Sequence, residues 1–328
     1  MDIKICFASD DNYAVHMAVT IVSILKNADD GDNLFFYVLD GGISDRSKDK
    51  ISGLKKIKDF FVEYVDCGAF KSHGFQLLLP HFSQTVYLRL RMADLLPDVD
   101  KIIYLDSDMI VCSSLKELFE EDTGEYFISA VEDIGYFWAH NSFGRKEEKF
   151  YANSGVMVIN LKLWREHSIG EKLYEFAGTT KEKLHFGDQD VINSVLKHKI
   201  KPLNLKWNVQ TSFFEFYNVL NHPLKSEIIK AKKNPKIIHY ITWKKPWNSY
   251  VPKRKLYFYY LDIAGLASDL SFINRIKIAK QFVIHNIKAA AYLLRYIISP
   301  VIKGYRTDDK KIKIKVFNFF EFILHETK

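Results

Sequence analysis

The sequence predicts an α/β fold, with a mostly parallel central sheet and helices on both faces. Three observations carry that expectation. Short β-branched and aromatic runs alternate with helical runs through the first 66 residues, the pattern of strand–helix–strand crossovers. The stretch KIIYLDSDMIVC, Lys101 to Cys112, is apolar on both sides of two aspartates, as expected of a strand buried on both faces. Finally, 48% of the 328 residues are hydrophobic and 15% aromatic, enough for a substantial core and too many for wholesale disorder.

Ile3 to Ala8 reads as the first strand, and Ser9, Asp10, Asp11 and Asn12 form a polar turn into the helical NYAVHMAVTIVSILKN. Such turns lie at strand carboxyl ends, where open α/β sheets bind ligands. No G-x-G-x-x-G occurs here, so the dinucleotide fingerprint is missing. Asp10 and Asn12 suit hydrogen bonds to a base or ribose, and Tyr13 suits stacking on a ring. Taken alone, the pattern reads first as a helix cap with Tyr13 in the core. LFFYVLD (34–40) is a second strand, ISDRSKDKISGLKKI a second helix and FFVEYVD (60–66) a third strand. An irregular loop spans 67–82, and a helix begins at Ser83 with SQTVYLRLRMADLLP, which carries Arg89 and Arg91. Beyond the aspartate-bearing strand, EYFISAVED (125–133) is a strand ending in acids, and 134–150 has the polar, aromatic character of a lid. YANSGVMVINLKLWR (151–165) sets Asn153, Ser154 and Gly155 at the start of a buried strand. HFGDQDVINSVLKHK (185–199) sets Asp188, Gln189 and Asp190 at a helix start, a capping pattern that also suits a sugar-hydroxyl reader. IIHYITWKKPW (237–247) is a strand followed by a loop with His239, Lys244 and Lys245.

Asp106 and Asp108 carry the strongest chemical signal. A carboxylate rarely enters a core unpaired, and an i, i+2 spacing puts both on one side of an extended backbone. Two hard oxygen ligands aimed at one point suit Mg²⁺ or Mn²⁺. A strand end capped by the same aspartates is the plain structural reading. An aspartyl-nucleophile phosphatase also ends a hydrophobic strand in Asp-x-Asp, but has Thr or Val where Ile110 stands and places the motif nearer its N-terminus.

Three cysteines (Cys6, Cys67 and Cys112), odd in number and sparse, have neither a disulfide framework nor zinc-ligand spacing. The N-terminus enters IKICFA without a secretory signal pattern, and no apolar run reaches the ~20 residues of a spanning helix. These features predict a cytoplasmic protein. The net charge of +7 is uneven: residues 271–328 hold 12 Lys and Arg against 4 Asp and Glu, leaving 35 and 36 for the rest. A neutral body argues against nucleic acid as a partner and gives the basic tail a partner of its own.

In order along the chain, ASDDNY (8–13), R-x-R (89–91), YLDSDMIV (104–111), NSGVMVINL (153–161), GDQD (187–190) and H-x5-KPW (239–247) resemble glycosyltransferase family 8. These are retaining enzymes of the GT-A fold, including bacterial lipopolysaccharide galactosyl- and glucosyltransferases, and the resemblance covers about residues 1–250. It implies that Asp106, Asp108 and His239 bind Mn²⁺ (or Mg²⁺), with the metal bridging the diphosphate of UDP. Ala8, Asp10, Asn12 and Tyr13 would hold uridine, Asp106 would also touch the nucleotide sugar, and Lys245 would contact a phosphate. Arg89, Asn153, Asp188 and Gln189 would face the donor sugar and form the catalytic set. One departure stands out: Thr242 occupies a position where the family usually has glycine.

The expected organisation is a catalytic domain over 1–265 and a basic amphipathic helical tail over 266–328. Residues 272–298 suit an amphipathic helix, with Lys277, Lys280, Lys288 and Arg295 inside about 80° of arc, and KKIKIKVFNFFEFIL (310–324) is basic and then aromatic. Basic and apolar faces together describe a segment lying on an anionic membrane surface. The expectation is a UDP-hexose-dependent hexosyltransferase, using UDP-galactose or UDP-glucose and peripheral on the inner face of the plasma membrane. Its acceptor would be a lipopolysaccharide, another glycan or a glycolipid. The alternative is a non-catalytic, peripheral membrane or glycan-binding protein that keeps the fold.

Overall fold

The computed structural model describes residues 1–68, 84–135, 150–180, 184–215, 219–220 and 222–269, together with the strands 302–306, 311–316 and 320–325. Contacts divide the chain into two units, Met1–Pro246 with Val251–Leu270, and Trp247–Tyr250 with Ser271–Lys328. The first unit is built on a seven-stranded sheet of order β3-β2-β1-β4-β7-β6-β8. Its strands are β1 (Asp2–Ser9), β2 (Asn33–Asp40), β3 (Phe61–Asp66), β4 (Lys101–Leu105), β6 (Ile128–Glu132), β7 (Ala152–Asn160) and β8 (Ile200–Pro202). β7 alone runs against the others, so the mostly parallel α/β sheet read from the sequence is present.

The alternation of chemistry explains the elements. β1 and β4 are buried along nearly their whole length, and their aliphatic residues pack against helices on either side. α1 (Asp11–Asn27) buries Ala14, Met17, Ala18, Val19, Ile21, Val22, Ile24 and Leu25. Asp10 caps it, its side chain accepting a hydrogen bond from the Tyr13 amide at 3.2 Å. α2 (Asp45–Ser52) is capped in the same way by Ser44. On the opposite face, Trp164 is fully buried and donates from Nε1 to the Phe127 carbonyl at 3.1 Å, within a cluster that includes Tyr104, Met157, Leu161 and Leu173.

Two expectations change in detail. The helix expected from Ser83 is a 3-10 helix over Gln84–Arg91 that passes into a single α turn, Met92–Leu95. The run Lys101–Cys112 is two strands rather than one. β4 ends at Leu105, and β5 (Met109–Val111) belongs to a separate three-stranded sheet of order β5-β10-β9, with β10 over Ile237–His239 and β9 over Val209–Gln210. Carboxylates cannot continue a ladder through a core, so the chain leaves the large sheet at the first aspartate. There the Asp106 amide makes one last bond, to Gly155 O at 2.9 Å. α1 then receives β5 through hydroxyls: Thr20 Oγ1 lies 2.9 Å from the Met109 carbonyl, and Ser23 Oγ accepts from the Val111 amide at 2.9 Å.

In the second unit, β11 (Ile302–Arg306), β12 (Lys311–Val316) and β13 (Phe320–His325) form an antiparallel three-stranded sheet. The basic–aromatic stretch therefore contributes strands, while the amphipathic helix expected over 272–298 and most of the expected lid lie outside the described residues.

Candidate active and metal-binding site

The break between β4 and β5 is the centre of the site. Asp106 and Asp108 flank Ser107 there, and β10 pairs with β5 so that His239 stands opposite Met109. His239 Nε2 lies 3.3 Å from Asp108 Oδ1 and 3.6 Å from Asp106 Oδ2. One ligand atom from each of the three residues lies within 4.8 Å of the others. Asp108 Oδ1 is buried with no hydrogen-bond partner among the described residues, an unsatisfied oxygen of the kind a cation would complete. A Cβ added to Gly155 would fall 2.8 Å from Asp106 Oδ2 and 2.3 Å from His239 Cε1. β7 thus passes directly beside the cluster, and only glycine leaves the ligand atoms their room. Two carboxylates and an imidazole in this arrangement fit a small divalent cation.

Positive charge surrounds these carboxylates. Lys245 Nζ contacts Asp108 Oδ2 and the Tyr240 carbonyl. Burial alone would raise the Asp108 carboxyl, but Lys245 and His239 overcome it and hold the group below the usual carboxylate range. Lys245 is carried by a turn in which Thr242 adopts a left-handed φ of 71°. Glycine adopts this region most readily; here Thr242 does so at a cost of about 1 kcal/mol, its Oγ1 accepting from the Lys244 amide at 3.4 Å.

Arg89 links the aspartates to the helix Asp188–Leu196. Its Nη2 lies 2.9 Å from Asp106 Oδ1, and its Nη1 lies 3.2 Å from Asp188 Oδ2. The guanidinium sits 4.4 Å over the Tyr104 ring, and Tyr104 donates to Asp106 Oδ1 at 3.1 Å. Asp188 is buried, and that burial pushes its carboxyl up to about 6 despite Arg89; Ser154 Oγ donates to it at 3.2 Å. Next to it, Gln189 Oε1 accepts from Asn153 Nδ2 and the Ser154 amide, both at 3.1 Å, while its Nε2 donates to Asp133 Oδ2 at 3.1 Å.

The structure therefore brings together Arg89, Asp106, Asp108, Asn153, Asp188, Gln189, His239 and Lys245. Ala8, Asp10, Asn12 and Tyr13 lie at the carboxyl end of β1, the strand beside β4. Asp10 is engaged as a helix cap, Asn12 is exposed, and Tyr13 lies edge-on to His16 at 5.6 Å. Burial first, then the charges of Asp108 and Asp106, raise the Tyr13 phenol. Arg91 turns away to Asp94 at 2.7 Å. Asp190 is taken up by Tyr151, whose hydroxyl donates to it at 2.6 Å, and by the Phe186 amide at 2.8 Å. Sequence reasoning passed over Asp133, Gly155 and Asn208 as site residues. Only Asp133, closing a strand in acids, and Gly155, inside an Asn-Ser-Gly run, left a trace in the sequence.

Residues 4–250 match the family described as Glycosyl transferase family 8. The chain belongs to glycosyltransferase family 8. Among its curated relatives is General stress protein A of Bacillus subtilis (strain 168), 29% identical over 266 residues, which cover 77% of this chain and 91% of that protein. The lipopolysaccharide 1,3-galactosyltransferase of Salmonella typhimurium (strain LT2) is 28% identical over 261 residues, 75% of this chain and 73% of the relative. Of solved structures, the galactosyltransferase LgtC in complex with donor and acceptor sugar analogues superposes with a TM-score of 0.70 at 28% identity. It covers 85% of this chain and all of that one. For six further curated relatives the match spans 24–67% of their lengths. The GT-A α/β architecture and glycosyltransferase membership implied by the sequence motifs thus hold. No helix among the described residues is long and apolar enough to cross a membrane.

Proposed function

We propose that this family 8 enzyme is a retaining glycosyltransferase that moves a hexose, galactose or glucose, from UDP to a lipopolysaccharide or other cell-surface glycan. The observation that carries the reading is the convergence of Asp106, Asp108 and His239 beside the buried Arg89–Asp188 pair and the Asn153–Gln189 amides. In this reading Asp106, Asp108 and His239 hold Mn²⁺ (or Mg²⁺). When bound, such a cation offsets the negative charge that builds on a departing diphosphate.

The chain's own groups supply the rest. Lys245 adds a positive charge at the phosphates, and Ala8, Asp10, Asn12 and Tyr13 receive the uridine. Arg89 holds Asp188 in place, and Asn153 orients the Gln189 amide so that oxygens face an anomeric carbon that becomes oxocarbenium-like. A covalent double displacement needs a carboxylate nucleophile. Asp188 is held by Arg89 and Ser154, Asp190 by Tyr151 and Phe186, and Gln189 is a poor nucleophile. Same-face attack, with the leaving phosphate accepting the acceptor's proton, needs none of them to move. The basic tail supports a peripheral site on an anionic membrane surface, where lipid-linked acceptors reside.

Release of UDP from a panel of UDP-sugars, with Mn²⁺ and with EDTA, tests the reading. Metal-dependent turnover of one UDP-hexose is expected. Failure to bind or turn over any member of the panel would sink it and favour the non-catalytic glycan-binding alternative.

A further inference from the structure

Asn208 is fully buried at the entry to β9, and its side chain lies between the two halves of the site. Its Oδ1 is 3.1 Å from His239 Nδ1, and its Nδ2 donates to Asn153 Oδ1 at 2.8 Å. Asn153 in turn donates from Nδ2 to Asp133 Oδ2 at 3.1 Å. The direction of this chain is fixed at its far end. Asp133 Oδ2 takes two amide donors, from Asn153 and Gln189, so it acts as an acceptor and both amide nitrogens point at it. Asn153 Oδ1 must therefore face Asn208 Nδ2, an orientation reinforced by the Gly155 amide, which donates to the same oxygen at 3.1 Å. Asn208 Oδ1 is left facing the imidazole, and an amide oxygen only accepts. Nδ1 therefore carries a proton, which leaves Nε2, the ring nitrogen on the side of Asp106 and Asp108, as the one to ligate a cation.

We propose that Asn208 is a positioning residue: it fixes the tautomer and orientation of His239 for the metal and ties that ligand, through Asn153, to the carboxylate of Asp133 and the amide of Gln189. A histidine ligand ordinarily donates its second N–H to a carboxylate, carbonyl or water, which orients the ring and raises its basicity. Here two amides interpose between histidine and carboxylate. Asn153 and Gln189 lie on the sugar-facing side, so the same relay sets ligand and sugar-facing amides in register. The inference rests on the metal reading of Asp106, Asp108 and His239.

The experiment measures Mn²⁺ affinity of the full chain without nucleotide, from the electron paramagnetic resonance signal of free Mn²⁺, and then kcat and KM for UDP-sugar hydrolysis. Asn208→Ala removes both hydrogen bonds and is expected to weaken Mn²⁺ binding by about 10–100-fold. Asn208→Asp keeps an acceptor for His239 Nδ1 but cannot donate to Asn153 Oδ1. It is expected to hold Mn²⁺ at least as tightly as the wild type while kcat falls about tenfold or more. This split separates positioning from a merely structural role, which would weaken both variants alike. Wild-type Mn²⁺ affinity in Asn208→Ala, or equal losses of affinity in both variants, would overturn the assignment. A wild-type chain that binds no Mn²⁺ would overturn the metal reading, and this inference with it.

Discussion

Gly155 lies against His239 so closely that a methyl group on its Cα would fall 2.3 Å from the imidazole Cε1. Real Cβ atoms do not approach that near, so β7 or the imidazole must move before any side chain fits. The same methyl would reach Asp106 Oδ2 at 2.8 Å, so two members of the cluster move together. Gly155→Ala is expected to cost about 1–3 kcal/mol of stability through overpacking, and to lower metal-dependent turnover about 100-fold or more. Thermal melts and Mn²⁺ titration of turnover check both. A variant with unchanged Mn²⁺ dependence would show that the cluster is not where the metal acts.

Asp108 and Lys245 form a buried ion pair. Removing one partner of such a pair strands the other, typically at about 3–5 kcal/mol. In Lys245→Met the Asp108 carboxylate is left for a cation to neutralise, so saturating Mn²⁺ should raise the Tm of this variant more than that of the wild type. Asp108→Asn should abolish metal-dependent turnover at limiting Mn²⁺ and, because it strands the buried Lys245, lower the Tm of a chain that still folds. Equal Mn²⁺-induced Tm gains in wild type and Lys245→Met would argue that Mn²⁺ and Lys245 do not share the Asp108 carboxylate.

The neighbouring acids of GDQD differ in the work they do. Asp188 faces Arg89, whereas Asp190 ties Tyr151 and the Phe186 amide at the helix start. Asp190→Asn is expected to lower Tm by several degrees with a modest change in kcat. Asp188→Asn leaves the buried Arg89 with half of its counter-charge and should reduce kcat at least tenfold. Steady-state kinetics and melts of both variants test this, and the reverse ranking would reassign the two residues.

What the sequence could show of this site, and what it could not, follows from how its contacts are made. Asp106 and Asp108 announce themselves, because two carboxylates inside an apolar run contradict their surroundings. The α/β class was equally legible, since β1 to β3 and their helices are local patterns of period two and of capped helix. The split of the Asp-x-Asp run into β4 and β5 was hidden because both halves are apolar, and β5 is defined by its partner β10, far along the chain. Asn208 left no mark for a similar reason: an asparagine after a tryptophan reads as an ordinary loop residue until His239 and Asn153 close on it. Asp190 was legible as part of a capping pattern at a helix start, and only its partners, Tyr151 and the Phe186 amide, set it apart from Asp188.

Glu132 provides a pH test outside the Asp106–Asp108–His239 cluster. Burial, with Asp133 beside it, pushes its carboxyl up to about 7, against roughly 4.3 for an unfolded glutamate. Between those values the folded chain holds a proton that the unfolded chain has lost, so stability falls as pH rises through this window, and the full cost is present above it. Glu132→Gln cannot titrate. It should match the wild type in Tm near pH 4 and exceed it by about 3 °C or more at pH 8. A gap that does not grow with pH would place the ionised carboxylate in a more polar setting than its burial implies.

The basic tail yields the last prediction. The family 8 match ends at residue 250, and the final strands of the first unit's sheets end well before the excess of Lys and Arg that begins after 271. Asp106, Asp108 and His239 precede Pro246, as do Arg89, Asn153, Asp188, Gln189 and Lys245. A chain truncated after Ala267 should therefore keep Mn²⁺ binding and donor hydrolysis within about twofold of the full chain. If the tail is what meets an anionic membrane surface, only the full chain should sediment with phosphatidylglycerol-containing vesicles, and raised salt should release it as screening grows. Sedimentation of the truncated chain at the same level would move the membrane contact to the catalytic unit. Loss of donor hydrolysis on truncation would instead make the tail part of the enzyme's own fold.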